Sequence, residues 1–97
     1  ARHAGDIVAC ARTWIAHDVA DGGDLATALG RITARTHVMT TTTDLYFTPA
    51  DCRAEAGMIR GATYADIDSD WGHMAGSGQS EADTAVMDAA IARMLAD

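Results

Sequence analysis

Hydrophobic residues recur with a helical period at both ends of the chain. Within residues 4–20 the apolar positions fall on one face of a helix, and Asp6 is the candidate N-cap. That face comprises Ile7, Val8, Ala11, Trp14, Ile15 and Val19. Ser80, followed three residues later by Asp83, resembles a capping box and opens a second stretch of this kind. The second apolar face comprises Val86, Met87, Ala90, Ile91, Met94 and Leu95. We therefore predict a helix over each stretch.

The middle of the chain has a pattern typical of short strands. Residues 36–41 form a threonine-rich, β-branched run, and residues 62–68 alternate between apolar and polar positions, so we predict a strand over each. Between them, the pair Thr48-Pro49 marks a helix start and predicts a short helix over residues 51–58. Two strands are thus separated by one helix.

Turn residues separate the remaining elements. Asp24 is the candidate cap of a short helix over residues 25–29, and Gly30 ends that helix. Residues 72–80 are rich in glycine and are expected to form a loop. The order helix, short helix, strand, helix, strand, helix predicts parallel strands joined by a right-handed crossover. The predicted fold class is α/β, with two parallel strands and flanking helices.

Two strands do not make a stable sheet alone, so we expect an upstream segment to complete it. The chain begins at Ala1 without an initiator methionine and enters helix-like sequence at once, which either processing or a fragment explains. The incomplete sheet favours a fragment. A free-standing acidic interaction module is the alternative from another class of protein. That module would need a closed core within these 97 residues.

Composition narrows the partners that this chain can bind. Seven basic residues, all arginine, against fourteen acidic ones give a net charge of −7, so nucleic acid and anionic membrane are poor partners. The sequence contains neither an apolar run of transmembrane length nor a signal peptide. Cys10 and Cys52 belong to no motif and predict buried thiols in a reducing compartment, with one disulfide as the alternative. We therefore expect a cytoplasmic protein.

An acid and a histidine follow the two predicted strands. Asp44 comes just after the first strand and His73 just after the second, and ligands of open parallel sheets bind beyond the carboxyl ends of the strands. A carboxylate beside an imidazole fixes its tautomer and stabilises the imidazolium when the histidine acts as a general base. Alone, each residue is more often a turn or solvated residue. Together, in the order acid then His, they predict two members of a catalytic triad.

The sequence around this pair resembles a known family. The stretch is ARTHVMTTTTDLYFTPADCRAEAGMIRGATYADIDSDWGHMAG, and it is similar to the C-terminal part of α/β-hydrolase-fold proteins of the homoserine O-acetyltransferase family. Members have a strand, an Asp followed by an apolar-aromatic pair and Pro, a helix, a strand and Gly-His. The resemblance covers roughly residues 5–96 and implies that Asp44 is the triad acid and His73 the base. One departure is Met74-Ala75-Gly76, where the transferases best known for homoserine carry an acid and Phe, so the acyl acceptor stays open.

No nucleophile with the required context is found in the chain. The near match Gly78-Gln79-Ser80-Glu81-Ala82 follows a loop and comes after His73, whereas a nucleophile elbow follows a strand and precedes the acid and His. Ser80 is therefore expected to be a helix N-cap.

The resemblance implies one domain segment over residues 1–97, with a helical lead-in over 1–30 and strand-helix-strand-helix over 31–97. The serine and oxyanion hole are expected on a preceding segment.

Other residues with chemical potential have structural interpretations. Tyr46 and Trp71 either line an acyl pocket or seal the packing of the loops, and the sequence does not decide between these. Asp66-x-Asp68-x-Asp70 imitates the start of a calcium loop, but the sequence lacks the glycine and the final acid that such a loop needs, so no metal is expected. Three histidines are expected to have no site role: His3, His17 and His37.

The predicted activity is acyl transfer through a Ser-His-Asp triad. The serine attacks an acyl ester or thioester, His73 takes and returns the proton, and Asp44 orients His73. The resemblance implies an O-acyltransferase that uses no cofactor, with acetyl-CoA as a possible co-substrate and a hydroxyl such as that of homoserine as acceptor. The nearest alternative is an esterase-type hydrolase that uses water. The expected partners are the upstream segment, a small-molecule donor and acceptor, and a second copy in a homodimer.

Overall fold

The computed structural model describes residues 3–96; Ala1, where the chain begins, Arg2 and Asp97 lie outside the described residues. The chain folds as a small α/β unit. In order, its elements are α1 (Ala4–Ala16), α2 (Leu25–Leu29), β1 (His37–Thr41), α3 (Pro49–Met58), β2 (Thr63–Ile67), a 3₁₀ helix (Gly72–Ser77) and α4 (Glu81–Ala96).

The two strands pair in parallel, as the order of elements predicted. Their register runs from His37 opposite Thr63 to Thr41 opposite Ile67. Parallel strands need a crossover connection, and here α3 forms it and packs against both strands. The carboxyl ends of β1 and β2 therefore lie side by side at one end of the sheet.

The buried side chains are few and unevenly distributed. The buried apolar residues are small ones from the helices together with one from β2: Ala56, Ile67, Ala75 and Ala90. The buried polar residues lie at the end of β1, just beyond both strands, or in the first turn of α4: Thr40, Thr41, Asp44, Ser69 and Asp83. These buried polar groups lie at the end of the sheet where the segment that follows β1 meets the segment that follows β2.

Helix α1 is shorter than predicted and is capped differently. It ends at Ala16 instead of continuing to residue 20, because the Asp18 carboxylate accepts hydrogen bonds from the backbone N–H groups of Ala20 (2.8 Å) and Gly22 (2.7 Å). An Asp that bonds its own backbone in this way competes with helix formation. The N-cap is His3, and the predicted cap Asp6 lies in the first turn, where its Oδ2 accepts from the His3 N–H at 3.3 Å.

Three further expectations need correction. The crossover helix begins at Pro49, two residues earlier than predicted, because the Thr48 hydroxyl accepts from the Asp51 N–H and caps it. The glycine-rich loop contains the 3₁₀ helix, which is too short to show a period in the sequence. Cys10 is exposed and only Cys52 is partly buried; both are free thiols, so the predicted buried thiol is wrong for Cys10.

No helix within residues 3–96 is both long and apolar enough to cross a membrane.

Candidate active site

The segments that follow the strands, residues 42–47 after β1 and 68–73 after β2, are here called the strand-end loops. Hydrogen bonds join them beyond the end of the sheet. The Thr42 N–H donates to the Ile67 carbonyl at 3.0 Å, which extends the ladder of the sheet by one step. The Thr43 hydroxyl donates to the Ser69 carbonyl at 2.6 Å, and the Thr42 hydroxyl donates to Asp68 Oδ1 at 3.3 Å. The threonine run thus fastens one loop to the other.

Asp44 is held by the backbone of the residues that follow it. Its Oδ1 accepts hydrogen bonds from the N–H groups of Tyr46 (2.8 Å) and Phe47 (3.0 Å). The carboxylate therefore turns the chain back on itself, as Asp does in an Asx turn. The Thr40 hydroxyl donates to the Phe47 carbonyl at 2.9 Å and closes the turn against β1. One acid thus orders the loop and keeps its second oxygen free for another partner.

Gly72 determines where His73 lies. Its φ is +50°, in the left-handed region that side chains other than glycine rarely adopt, and a Cβ there would lie 3.1 Å from the Thr43 carbonyl oxygen. The two strand-end loops therefore approach each other closely at this point. Glycine permits both the turn and the close approach, and the residue that follows it, His73, therefore lies beside Asp44.

His73 meets Asp44 across the loops. The ring Nδ1 of His73 lies 3.2 Å from Oδ2 of Asp44, and the acid side chain is 9% exposed while the histidine side chain is 45% exposed. Burial acts to raise the pKa of Asp44, but the Phe47 and Tyr46 N–H groups and His73 together lower it below its usual value. The acid is thus kept charged, and its partner on the imidazole is Nδ1. The opposite ring nitrogen, Nε2, takes no part in this contact.

Two aromatic rings contact the imidazole. The centroid of Tyr46 lies 4.9 Å and that of Phe47 5.3 Å from the centroid of His73, both at tilted angles. Phe47 was not among the residues predicted for the site, although its place three residues after the acid in an apolar segment was a signal. A cavity of about 270 Å³ opens beside the pair and is lined by residues that include Asp44, Phe47, Gly72 and His73.

Trp71 lies two residues before His73 and is 49% exposed. The backbone N–H of Trp71 donates to the Ser69 hydroxyl at 3.1 Å, and the Trp71 carbonyl accepts from the Met74 N–H at 2.9 Å. These bonds give Trp71 a part in shaping the turn that carries His73. Its indole is half-exposed, so either interpretation of Trp71 made from the sequence remains a hypothesis.

The other candidates take structural roles. The Ser80 hydroxyl accepts from the Asp83 N–H at 3.2 Å just before α4, as expected of an N-cap. His37 lies at the start of β1, with Nδ1 2.6 Å from the Thr63 hydroxyl. Asp66 pairs with Arg53 at 2.6 Å instead of joining a calcium loop. Within residues 3–96, no group of three or more metal-ligating side chains could hold an ion. His3 and His17 flank α1.

Comparison with known proteins finds similarity to proteins named as ester hydrolases. No family model matches the chain. It is 37% identical over 92 residues to an ethyl acetate hydrolase of Pseudomonas veronii, which covers 93% of this chain and 26% of that protein. It is 45% identical over 53 residues to a probable esterase of Corynebacterium glutamicum, covering 55% of this chain and 15% of the esterase.

Two solved structures are similar to the chain. An acetylester hydrolase from Corynebacterium glutamicum superposes with a TM-score of 0.82 at 35% identity, over 90% of this chain and 26% of that one. The acetyl esterase MekB superposes with a TM-score of 0.74 at 39% identity, over 78% of this chain and 22% of that one. The fold is that of part of an α/β-hydrolase, as predicted. The chain spans about a quarter of the length of the first relative that it matches.

The names of these relatives bear on the two activities considered from the sequence. All four are named as esterases or ester hydrolases, and none of the four as an acyltransferase. The resemblance to the homoserine O-acetyltransferase family is therefore supported at the level of the α/β-hydrolase fold. The alternative stated beside it, hydrolysis with water as acceptor, has the better support.

Proposed function

We propose that this chain supplies the acid and the base of a Ser-His-Asp triad in an esterase. The observation that carries the proposal is the contact of 3.2 Å between His73 Nδ1 and Asp44 Oδ2, with the acid buried and the imidazole half-exposed. In a triad the acid binds Nδ1 and leaves Nε2 to exchange a proton with the nucleophile. Asp44 is the orienting acid and His73 the general base.

The reaction proceeds in two halves. In the first, His73 Nε2 takes the proton of the serine hydroxyl while the serine oxygen attacks the ester carbonyl, and Asp44 stabilises the imidazolium that forms. The tetrahedral intermediate then expels the alcohol, which receives the proton from His73. In the second half, His73 takes a proton from water, the resulting hydroxide attacks the acyl-enzyme, and the serine regains its proton as the acid leaves.

The nucleophilic serine is assigned to a part of the α/β-hydrolase fold that lies outside these residues. Ser80 is occupied as the cap of α4 and comes after His73, which is the wrong order for this fold. The chain spans about a quarter of its first relative, which leaves room in such a protein for a strand carrying the serine and for the oxyanion hole. The rest of the sheet would pair with the edge of β1 that does not face β2.

The proposed substrates are esters of short acids. The relatives include an ethyl acetate hydrolase and an acetylester hydrolase, which act on acetyl groups by their names. The rings of Tyr46 and Phe47 contact the imidazole and offer an apolar wall for a small acyl group. Trp71, half-exposed before His73, is proposed to border the same wall. Almost half of the His73 side chain is exposed in this chain, which is compatible with water as the acceptor.

The test uses the full-length gene product that contains this chain. The assay follows release of alcohol and acetate from ethyl acetate and from a chromogenic acetyl ester, with His73→Ala beside the unchanged protein. We expect His73→Ala to lower turnover on the order of 10⁴-fold or more, because triad members act as a unit. The melting temperature should change little, since the side chain is half-exposed. Full activity of His73→Ala on every ester tried would remove the triad assignment.

A second arm of the assay separates hydrolase from transferase. Homoserine and acetyl-CoA are added as acceptor and donor, and the products are resolved by mass spectrometry. We expect acetate as the main product whether or not the acceptor is present. Acetylated homoserine formed faster than acetate would make the protein an acyltransferase and would leave the roles of Asp44 and His73 unchanged.

A further inference from the structure

Ser69 is the point where three segments of the chain meet. It is 7% exposed and lies two residues beyond the end of β2. Its hydroxyl donates to Oδ2 of Asp83 at 2.5 Å and accepts from the Trp71 N–H at 3.1 Å. Its carbonyl accepts from the Thr43 hydroxyl at 2.6 Å. One residue thus bonds the first turn of α4 and both strand-end loops.

Asp83 fixes the direction of the Ser69 hydroxyl. It is 5% exposed, and its backbone N–H is itself held by the Ser80 hydroxyl at 3.2 Å. A hydroxyl has one proton, and here that proton points to the Asp83 carboxylate. The lone pairs of Ser69 are consequently available to the Trp71 N–H. Without Asp83 the hydroxyl could turn, and the Trp71 N–H would lose a defined acceptor.

The bonds of Ser69 reach the two residues of the proposed triad by short routes. Thr43 directly precedes Asp44, and Trp71 lies two residues before His73. Ser69 therefore holds the Asp44 side of the site through its carbonyl and the His73 side through its hydroxyl. Neither bond passes through a flexible side chain longer than threonine.

We propose that Ser69, oriented by the buried Asp83, is a positioning residue that sets the contact between Asp44 and His73. The proposal rests on the proposed function, since it concerns the rate of the same reaction. It extends that function to two residues that do not touch the substrate. A small displacement of a reacting group lowers the rate steeply, so loss of the Ser69 bonds acts on turnover and leaves substrate binding almost unchanged.

The first test is Ser69→Ala in the full-length gene product, assayed with a chromogenic acetyl ester. We expect kcat to fall roughly 10- to 100-fold, with KM within about twofold because no substrate contact is removed. Asp83→Asn should retain most activity, because its amide oxygen still accepts from Ser69, whereas Asp83→Ala should resemble Ser69→Ala.

A matched pair of threonines keeps the proposal testable if Ser69→Ala does not fold. Thr42 and Thr43 are neighbours, both exposed, and each hydroxyl donates to the opposite strand-end loop. Only the Thr43 hydroxyl reaches Ser69. We expect Thr43→Val to lower kcat roughly fivefold, the equivalent of one neutral hydrogen bond, with KM within about twofold. Thr42→Val should leave both unchanged.

Each outcome bears on the proposal. A lower kcat at an unchanged KM in Thr43→Val and not in Thr42→Val supports it. Unchanged kcat in Ser69→Ala and Thr43→Val overturns it, as does a loss of rate that follows the folded fraction, because both results leave Ser69 a structural role only. Activity that survives His73→Ala refutes the proposed function itself, and that result is distinct from the others.

Discussion

Helix α1 and the strand-end loops differ in a way that their sequences do not suggest. Helix α1 is regular, with apolar residues at helical spacing, yet none of its residues is buried, and Ile15 is 85% exposed. The strand-end loops have no regular period and are rich in polar residues, yet Asp44 and Ser69 within them are buried. Helix α1 thus lies on the surface of the described chain, whereas the strand-end loops are anchored by buried polar residues.

The difference shows which interactions define the site. A helix satisfies its backbone internally and gains little more unless its apolar face is covered. The strand-end loops instead rely on short polar side chains that bond the backbone of the opposite loop, such as Thr43 to Ser69. Short side chains lose little conformational freedom when they make such bonds. Precision at the end of this sheet therefore comes from hydrogen bonds more than from apolar packing.

The largest expected effect comes from changing the charge of the buried acid. Asp44→Asn keeps an oxygen for the Tyr46 and Phe47 N–H groups but turns an N–H toward His73 Nδ1, which favours the wrong tautomer. We expect turnover to fall on the order of 10⁴-fold with the fold intact. Asp68→Asn is the control, since Asp68 is exposed and its oxygen can still accept from Thr42. Similar rates for the two variants, measured on one acetyl ester, would contradict the assignment of Asp44.

The second effect compares the same residue type in the two regions. Ile67, at the end of β2, is 5% exposed, and Ile15 in α1 is 85% exposed. Ile67→Ala should lower the free energy of unfolding by about 2–5 kcal/mol, as core truncations do. Ile15→Ala should change it by less than about 0.5 kcal/mol. Chemical denaturation of the full-length gene product measures both, and an equal loss would show that α1 is covered in that protein.

The third effect concerns the geometry of the close approach. Gly72→Ala places a Cβ at a φ of +50° and 3.1 Å from the Thr43 carbonyl oxygen. We expect a loss of about 1–2 kcal/mol in stability from the backbone strain and, since His73 follows directly, a fall in turnover on the order of tenfold. Gly57→Ala in α3 is the matched control, because nothing lies within 4 Å of its Cβ. It should be neutral or stabilising by up to about 1 kcal/mol, and thermal melts with rate assays compare the two.

The smallest effect is expected at the cap of α4. Ser80→Ala removes the acceptor of the Asp83 N–H and should cost about 1 kcal/mol of stability, the usual value for an N-cap. Turnover should change by no more than a few fold, because the side chain of Asp83 keeps its bond to Ser69. Abolished turnover without a change in the thermal melt would instead make Ser80 the nucleophile and the chain order assigned here wrong.

Much of the fold could be predicted from local patterns. The β-branched threonine run predicted β1, and the parallel pairing followed from the helix between the strands, because a crossover is the only short route between parallel neighbours. The caps at Asp24 and Ser80 could be predicted because a short polar side chain directly before an apolar helical run is typical of an N-cap. The end of α1 was missed, since Asp18 bonds the backbone of residues that also fit the helical pattern.

The site was predictable only in part. Asp44 and His73 could be singled out because each follows a strand, and parallel strands end at the same side of a sheet. The Ser69–Asp83 bond could not, because it joins residues 14 positions apart through a contact that depends on the path of the 3₁₀ helix. Phe47 was missed for a related reason, since its ring reaches His73 only when Asp44 turns the loop back.

The way Asp44 is held has a consequence for variation among related enzymes. Its Oδ1 is bound by the N–H groups of residues 46 and 47, and a backbone N–H is present whatever side chain the residue carries, proline excepted. The side chains at these two positions face the imidazole and are more than half exposed. The two side chains can therefore be exchanged while the hydrogen bonds that orient the acid are kept, which makes this dipeptide a natural target for a small saturation library.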